Sequence, residues 1–533
     1  MTFRRQPLSL YTAALIVFGL TAIAPLGYML VQFIISVFEQ QSAVTNILID
    51  TRQLVLLGRS VTIALSATVI ALVVGLPAAI ILAAKDLPFR KLFYFLVLIP
   101  VLIPSYVMAG AWIHLLSPAG SVNRMLAACF GPTVKLSLYS TAGCAWCMGI
   151  SFFPVIAVIL AAGFSKLDSN LQDIARLSTN RWGVFWHSTL PQILPHLIAS
   201  VCLVVIFVLA QYGVPSLLGI NTYPVEIFAQ FSAFYDDTAA VATALPLTVL
   251  VVFLILLQQR IMRRHDYVHI TPSSETDDPI KMNGMKRYAV GFLIILFVVT
   301  TVLPFSSVLA YARSSDKVWS TLRSFSDGIV TTSSLALLAA IISTAIAFPI
   351  GSHLAHNHDR FTRTLDILCW LPIAIPGTII GLGLIKLSNL GGALQRSDSF
   401  GILLLFAYIG MFSAFSIRIF QAAHKRADPN IDDAAAIDCQ RWYQRLLYID
   451  LPIHAGPIAA SMIIVFVLVI GELNATVLLV PPGKETLAVT IDNLLHYGAN
   501  VKASVLCLSE ALLVILMVSI GMTIWYIAAG RKQ

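Results

Sequence analysis

The sequence predicts an all-α polytopic membrane protein of about 12 transmembrane helices, arranged as two parallel six-helix repeats. Three observations carry this reading. The composition is too apolar for a water-soluble domain, the apolar residues fall in runs of spanning length, and landmarks recur at a near-constant spacing in the two halves. Of 533 residues, 58% are hydrophobic and 11% charged, and the mean hydropathy is +0.86. A soluble domain carries about 25% charged residues, which excludes a soluble enzyme, a disordered chain and a disulfide scaffold.

A spanning helix needs roughly 20 apolar residues. Runs of that kind fall near 11–37, 60–84, 92–116, 137–163, 197–219, 238–258, 288–312, 330–355, 365–388, 400–423, 456–480 and 505–529. The first is too long for a signal-peptide core and has no small-residue cleavage site after it, so it reads as a retained helix. The net charge of +8 comes from basic residues lying mainly between the runs, as short membrane loops require, and does not imply nucleic acid. With the amino terminus inside, 22 Lys and Arg fall in inside loops and 11 in outside loops, leaving Arg418 within the tenth run. That bias predicts cytoplasmic termini at both ends.

The twelve runs divide into a first half, 1–258, and a second half, 288–533. Between them lies a polar, turn-rich cytoplasmic linker, 259–287. Pro100 and Pro104 recur 272 residues later as Pro372 and Pro376. Arg181-Trp182 recurs 260 later as Arg441-Trp442, and Leu190-Pro191 recurs 261 later as Leu451-Pro452. The first half therefore carries about twelve extra residues, placed most simply in the outer loop around 117–136. An even number of helices per half makes the repeats parallel, about a pseudo-two-fold axis along the membrane normal.

The longest inside loops, 164–196 and 424–455, occupy equivalent places, and each has a short helix signal. In the second, Asp428 caps, Pro429 suits the first turn, and Ile431, Ala434 and Ala435 share one face. In the first, Asp168 or Ser169 caps, and Leu171, Ile174 and Ala175 make the matching face. These helices are too short and polar to span, and their alanines admit another backbone closely. A loop needed only for topology would not carry such a docking ridge twice.

On these residues the sequence resembles the bacterial ABC importer permeases. Asp433-Ala434-Ala435, then Cys439, then Ile449-Asp-Leu451-Pro452 is similar to the EAA loop of that family, with Asp for Glu and Cys439 for the usual glycine. In the first half Asp173, Ala175 and Leu190-Pro191 make a weaker, one-residue-shorter version, with Ser178 or Thr179 at the glycine position. Gly471-Glu-Leu-Asn-Ala-Thr476 with Pro481-Pro-Gly-Lys-Glu-Thr-Leu487 resembles the fused permeases of ferric-iron and thiamine importers. The resemblance implies the type I permease fold in a bacterial inner membrane. It also implies coupling helices that dock on two copies of a cytoplasmic ATPase subunit, and an extracytoplasmic solute-binding protein as a third partner. Asp173, Ala175, Leu190, Pro191, Asp433, Ala434, Ala435, Cys439, Leu451 and Pro452 carry the ATPase contacts by that likeness. It leaves ferric iron, thiamine or another small solute such as a polyamine open as substrate.

The chain holds no nucleotide site of its own. A P-loop needs GxxxxGK[ST], whereas Gly483-Lys484 is followed by Glu485 and Leu478 stands at the first glycine position. ATP hydrolysis is therefore expected on a separate subunit, with no cofactor in this chain. Polar residues within apolar runs tend to face a bundle interior or cavity. Glu472 and Asn474, with Gln211 and Tyr212 at the equivalent place, are pathway candidates facing each other across the pseudo-axis. Pro100, Pro104, Pro372 and Pro376 are candidates for kinks that shape a gate. Ser60, Thr62, Ser333 and Ser334 read as packing residues. No metal site is expected: His353, His356 and His358 read as a solvated loop, and Cys144-Ala-Trp-Cys147 as small buried side chains. The alternative is an ion-coupled secondary transporter with two six-helix halves. It would need intramembrane charges, of which Glu472 and Arg418 are nearly the whole supply.

Overall fold

The computed structural model describes residues 8–39, 50–117, 120–131, 135–167, 169–234, 237–265, 284–313, 318–357, 359–391, 401–427, 430, 441–481 and 483–530. Asp433, Ala434, Ala435 and Cys439, with the rest of 431–440, lie outside the described residues. So do His358 and 266–283 of the linker.

All of the regular structure in the described residues is helical. The elements, in chain order, are α1 (8–39), α2 (Thr51–Ala83), α3 (Arg90–Leu102), α4 (Ser105–Leu116), α5 (Ser121–Phe130), α6 (Thr141–Phe164), α7 (Ser169–Ser178) and α8 (181–209). They continue with α9 (Gly213–Leu217), α10 (Tyr223–Ser232), α11 (Asp237–His265), α12 (286–313), α13 (Val318–Ser324), α14 (Ser326–His356), α15 (Arg360–Leu368) and α16 (Leu371–Ala374). The last are α17 (Gly377–Gly391), α18 (Ile402–Arg426), α19 (442–453), α20 (Ala455–Ile470), α21 (Thr476–Leu479), α22 (Leu487–His496) and α23 (Asn500–Gly530). A bilayer offers no water to unpaired N–H and C=O groups, so apolar segments close their hydrogen bonds internally as helices. Among the described residues nine helices are long and apolar enough to cross a membrane, and twelve if each of three bent pairs counts as one span.

Two of the three bent pairs break at prolines. The chain turns by 88° between α3 and α4, across Pro104, and by 102° before α17, across Pro376. Each proline lacks the N–H that would continue the helix. The third bend, 76°, separates α19 from α20.

The first helix of each half repeats one device. A π-helical turn covers Gly19–Ile23 in α1 and Val298–Val302 in α12. In each, the buried threonine hydroxyl bonds the carbonyl four residues back, Thr21 to Val17 and Thr300 to Leu296, both at 2.8 Å. Pro25 and Pro304 follow at the same spacing.

The chain packs as two compact units, and these are grouped differently from the repeats read in the sequence. One unit holds α2–α9, the later part of α11, and α12. Its core is α2 lying along α6, with α8 packed on both. Ala64, Ala67, Ala71, Ala78 and Ala79 give α2 a face without bulk, completely buried. A Cβ on Gly149 would come within 2.8 Å of the Ala67 carbonyl oxygen, and one on Gly75 within 2.9 Å of that of Phe153. Close backbone approach through small residues is how helices gain dispersion contact in lipid. On α12, Ser307 bonds the Ala111 carbonyl of α4 at 3.1 Å, and Tyr311 lies 4.5 Å from His114.

The other unit holds α1, the start of α11, and α13–α23. Here α14 packs along α18 and α20 on both. The three core helices are joined by buried hydroxyls: Thr344 to Ser461 at 2.7 Å and Ser461 to Ser416 at 2.8 Å. Arg418 forms an ion pair with Asp366 of α15 and stacks over Trp370, 4.3 Å from the ring centre. Its charge is thus answered within the unit, where burial alone would be costly. The amino-terminal α1 belongs to this unit because α18 and α17 offer it glycines. The π turn sets the Thr21 carbonyl directly against Gly410, and a Cβ on Gly383 would stand 2.6 Å from the Pro25 carbonyl oxygen.

This packing makes Gly410→Val destabilising, by about 1–3 kcal/mol for overpacking against a fixed backbone. The thermal midpoint of the purified chain should fall. Gly58→Val, where a Cβ meets nothing within 4 Å, should leave it unchanged. Equal midpoints for the two variants would show that α1 does not press on α18 at this point.

Candidate functional site

Two kinds of feature recur in both halves: helix breaks near the ends of α8 and α20, and the loop that precedes each of those helices.

The apolar runs 197–219 and 456–480 suggest uninterrupted spans. The helices instead end at Leu209 and Ile470, and the runs continue as a break, a short helix and a glycine turn. Hydropathy does not distinguish these, because Val214, Pro215, Leu217 and Leu218 remain buried without continuing the helix. Gly219 (φ 66°) and Gly483 (φ 80°) take the left-handed backbone that favours glycine at equivalent points of the two turns. Three residues after each comes a buried threonine, Thr222 or Thr486, at the start of α10 or α22.

Breaks free backbone N–H groups, and these are taken up individually. In the first half the Tyr223 amide donates to the Ser60 hydroxyl at 3.0 Å, and that hydroxyl donates to the Leu56 carbonyl at 3.0 Å. In the second half the Leu487 amide donates to the Thr332 hydroxyl at 2.8 Å. The same hydrogen bond is therefore made twice, and Ser60 and Thr332 pin the short helices α10 and α22 to α2 and α14. Glu226, buried on α10, adds an ion pair to Arg52 of α2 at 2.9 Å.

Glu472 is buried at the second break and completely used. Its Oε1 accepts from the Ala475 amide at 2.8 Å. Its Oε2 accepts from the Thr476 amide at 2.9 Å and from the Thr476 hydroxyl at 2.5 Å. Tyr408 of α18 donates to that hydroxyl at 2.9 Å. A carboxylate at the start of a helical turn meets free N–H groups and the positive end of the peptide dipoles. The break also meets the bend before α17: a Cβ on Gly377 would lie 3.0 Å from Glu472 Oε1, and one on Gly381 3.4 Å from Ala475. In the first half Gln211 is half-buried, Tyr212 is buried, and Gln211 with Ser60, Met148 and Thr222 lines a small cavity. Asn474 is half-buried beside Gly377. Pro100, Pro104, Pro372 and Pro376 are buried, with α4 packed against α9 and α17 against α21.

At the first loop, α7 forms over the segment with the helix signal. Leu171, Ile174 and Leu177 are exposed, Leu177 by 90%, with Asp173 exposed and Ala175 half-buried. Leu190 is half-buried, and Pro191, Leu451 and Pro452 are exposed. At the base of the second loop, His424 and His454 are buried with ring centres 4.3 Å apart, and Phe348 packs edge-on against both. At the base of the first, Gly163 leaves room for His196, whose Cγ would lie 2.8 Å from a Cβ there. His353 packs on Tyr11 with ring centres 4.6 Å apart rather than standing free in a loop. Among the described residues no group of three or more His, Cys, Asp or Glu is placed to hold a metal ion.

Sequence reading singled out Ser60 only as packing, and passed over Thr332, Tyr408 and Thr476. The paired pattern of glycine with threonine three residues later could have marked both breaks. Glu472→Ala should leave the Ala475 and Thr476 amides unpaired in a buried place, at about 1–3 kcal/mol each. A clear fall in thermal midpoint, with the chain still membrane-inserted, is the expected result. An unchanged midpoint would show that Glu472 does not hold the break.

Comparison with known proteins gives the context. Residues 75–267 match the family of binding-protein-dependent transport system inner membrane components. The chain is 21% identical over 500 residues to the Fe(3+)-transport system permease protein FbpB 2 of Haemophilus influenzae, covering 92% of each chain. It is 21% identical to the ferric transport system permease protein FbpB of Actinobacillus pleuropneumoniae, covering 81% of this chain and 65% of that one. It is 31% identical over 137 residues to a putative 2-aminoethylphosphonate transport system permease protein, PhnV, of Salmonella typhimurium, covering 26% of this chain and 51% of that one. Proteins of this kind are transporter membrane components rather than enzymes. With its all-helical, multi-span architecture, the chain is similar over 75–267 to inner membrane components of binding-protein-dependent transport systems, and along most of its length to permeases named for ferric iron transport.

Proposed function

We propose that the chain forms the translocation pathway of an ABC importer and couples it to two copies of a separate cytoplasmic ATPase subunit. An extracytoplasmic binding protein delivers the solute, and ferric iron is the favoured substrate. The substrate rests on the names of the relatives that match along most of the chain. Both termini and the loops 164–196 and 424–455 face the cytoplasm, in keeping with the two-to-one excess of Lys and Arg on that side. The relatives are named as transport-system permeases, which favours this reading over an ion-coupled carrier.

One observation carries the coupling role. The ten-residue α7 presents Leu171, Ile174 and Leu177 outward, in the loop whose sequence resembles an EAA loop. An apolar ridge of that size at a loop surface fits a groove on another subunit. Asp173, Ala175, Asp433, Ala434, Ala435 and Cys439 belong to the two contacts in this reading. In the second half a push on the loop would pass through the His424–His454 contact into α20. It would then reach the Glu472 break, which lies against α17. ATP-driven approach of the ATPase subunits would move these packed elements between two arrangements. Gln211, Tyr212, Glu472 and Asn474 border the pathway, and the proline bends shape its gate.

The double variant Ala175→Trp, Ala435→Trp should insert and fold yet lose co-purification of the ATPase subunits and solute-stimulated ATP hydrolysis. Normal co-purification would refute the coupling assignment. Uptake of radioactive ferric iron by vesicles holding the chain, the ATPase and the binding protein tests the substrate. Uptake without the ATPase subunits would refute the importer reading.

A further inference from the structure

The later parts of the two loops, after α7 in the first and from Arg441 in the second, carry exposed aromatic side chains that neither the packing nor the named coupling residues account for. At the start of α8, Trp182 is 71% exposed and Trp186 58%, with Phe185 also outward. In α19, Trp442 is 49% exposed and Tyr448 77%, with Tyr443 and Leu447 outward. Arg181 precedes the first strip and Arg441 the second. Arg441 donates to the Tyr443 hydroxyl at 2.6 Å. The acidic residue of the second strip, Asp450, is buried and paired with Arg445 at 3.5 Å.

Each strip lies at the loop end of the apolar helix that follows it. The span Trp182–Leu209 has 28 residues, or roughly 42 Å of helix against a hydrocarbon core of about 30 Å. Roughly eight residues, the aromatic ones, are left over at the loop end. In the second half α20 has only 16 residues, and α19 turns away from it by 76°. A helix bent so far from its span runs along the bilayer surface, with one apolar, aromatic face and basic residues at its edge. Tryptophan and tyrosine gain most at that boundary, where the ring is buried and the polar edge stays wet.

We infer that 182–189 and 442–448 are interfacial anchors, each seated in the headgroup layer and bound to anionic phospholipid. Two features select lipid over a protein partner. Each strip leads directly into an apolar helix, and the exposed charge of the second, Arg441, is basic, complementary to an anionic leaflet. The inference needs only that the apolar runs containing α8 and α20 cross the membrane. It stands whether or not α7 grips an ATPase subunit.

Fluorescence quenching of the full chain in lipid nanodiscs tests this. Phosphatidylethanolamine–phosphatidylglycerol discs would carry a nitroxide either on the lipid headgroup or at carbon 12 of the acyl chain. Trp182→Phe and Trp442→Phe should each remove emission that the headgroup label quenches, leaving the deep-quenched share unchanged. Headgroup quenching of Trp442 should fall in neutral phosphatidylcholine discs, and Arg441→Gln should abolish that lipid dependence. If these tryptophans are quenched by neither label, or only by the deep one, the strips do not lie at the interface. If quenching is relieved when the ATPase subunits are added, the strips are a protein contact. A lack of difference between anionic and neutral discs would overturn the anionic-lipid assignment.

Discussion

An interrupted helix in an apolar setting must find a partner for every N–H it frees, and this constraint shapes both halves of the chain. Each orphaned amide buried away from water costs about as much as a lost hydrogen bond. The first break is closed by Ser60, the second by Thr332 and by the three bonds of Glu472. These contacts decide where α10, α21 and α22 sit. They also tie the breaks to α2, α14 and α18, which form the cores of their units.

Carboxylates inside membrane proteins usually suggest ion handling. Here the surroundings of Glu472 argue for a fixed structural role at a place that also borders the proposed pathway. Its bonds run to the backbone and to a Thr–Tyr pair, so one side chain holds the break through three contacts at once. A gate element built this way would move as a rigid piece, with its internal bonding intact. The small-residue face of α2 serves the same end, because close-packed interfaces switch between discrete arrangements and do not deform smoothly.

Much of the fold was legible from hydropathy and repetition. Among the described residues the twelve runs correspond to nine helices long and apolar enough to cross a membrane and three bent pairs, and two of the bends lie at the duplicated prolines, Pro104 and Pro376. Helix α7 lies where capping and apolar spacing placed it. The interruptions after Leu209 and Ile470 were hidden because the residues beyond them stay apolar. The partners of Ser60 and Thr332 lie 163 and 155 residues away, beyond any local pattern. Periodicity also says which face of a helix is buried but not against what, so the placement of α1 with α14, α17 and α18 had no sequence signal beyond two glycines whose purpose is visible only in three dimensions.

That placement bears on how the chain is made. The ribosome delivers α1 first, yet its packing surface includes Gly410, nearly 400 residues downstream. At roughly 5–20 residues per second, α1 waits about 20–80 s in the bilayer before that neighbour is synthesised. Lipid is its first solvent, and the π turn with its self-bonded Thr21 hydroxyl lets it wait there with little polar surface unanswered. A chain cut within the linker would strand α1 on the wrong fragment, so the two products of such a cut would have to meet in the membrane before either could finish folding.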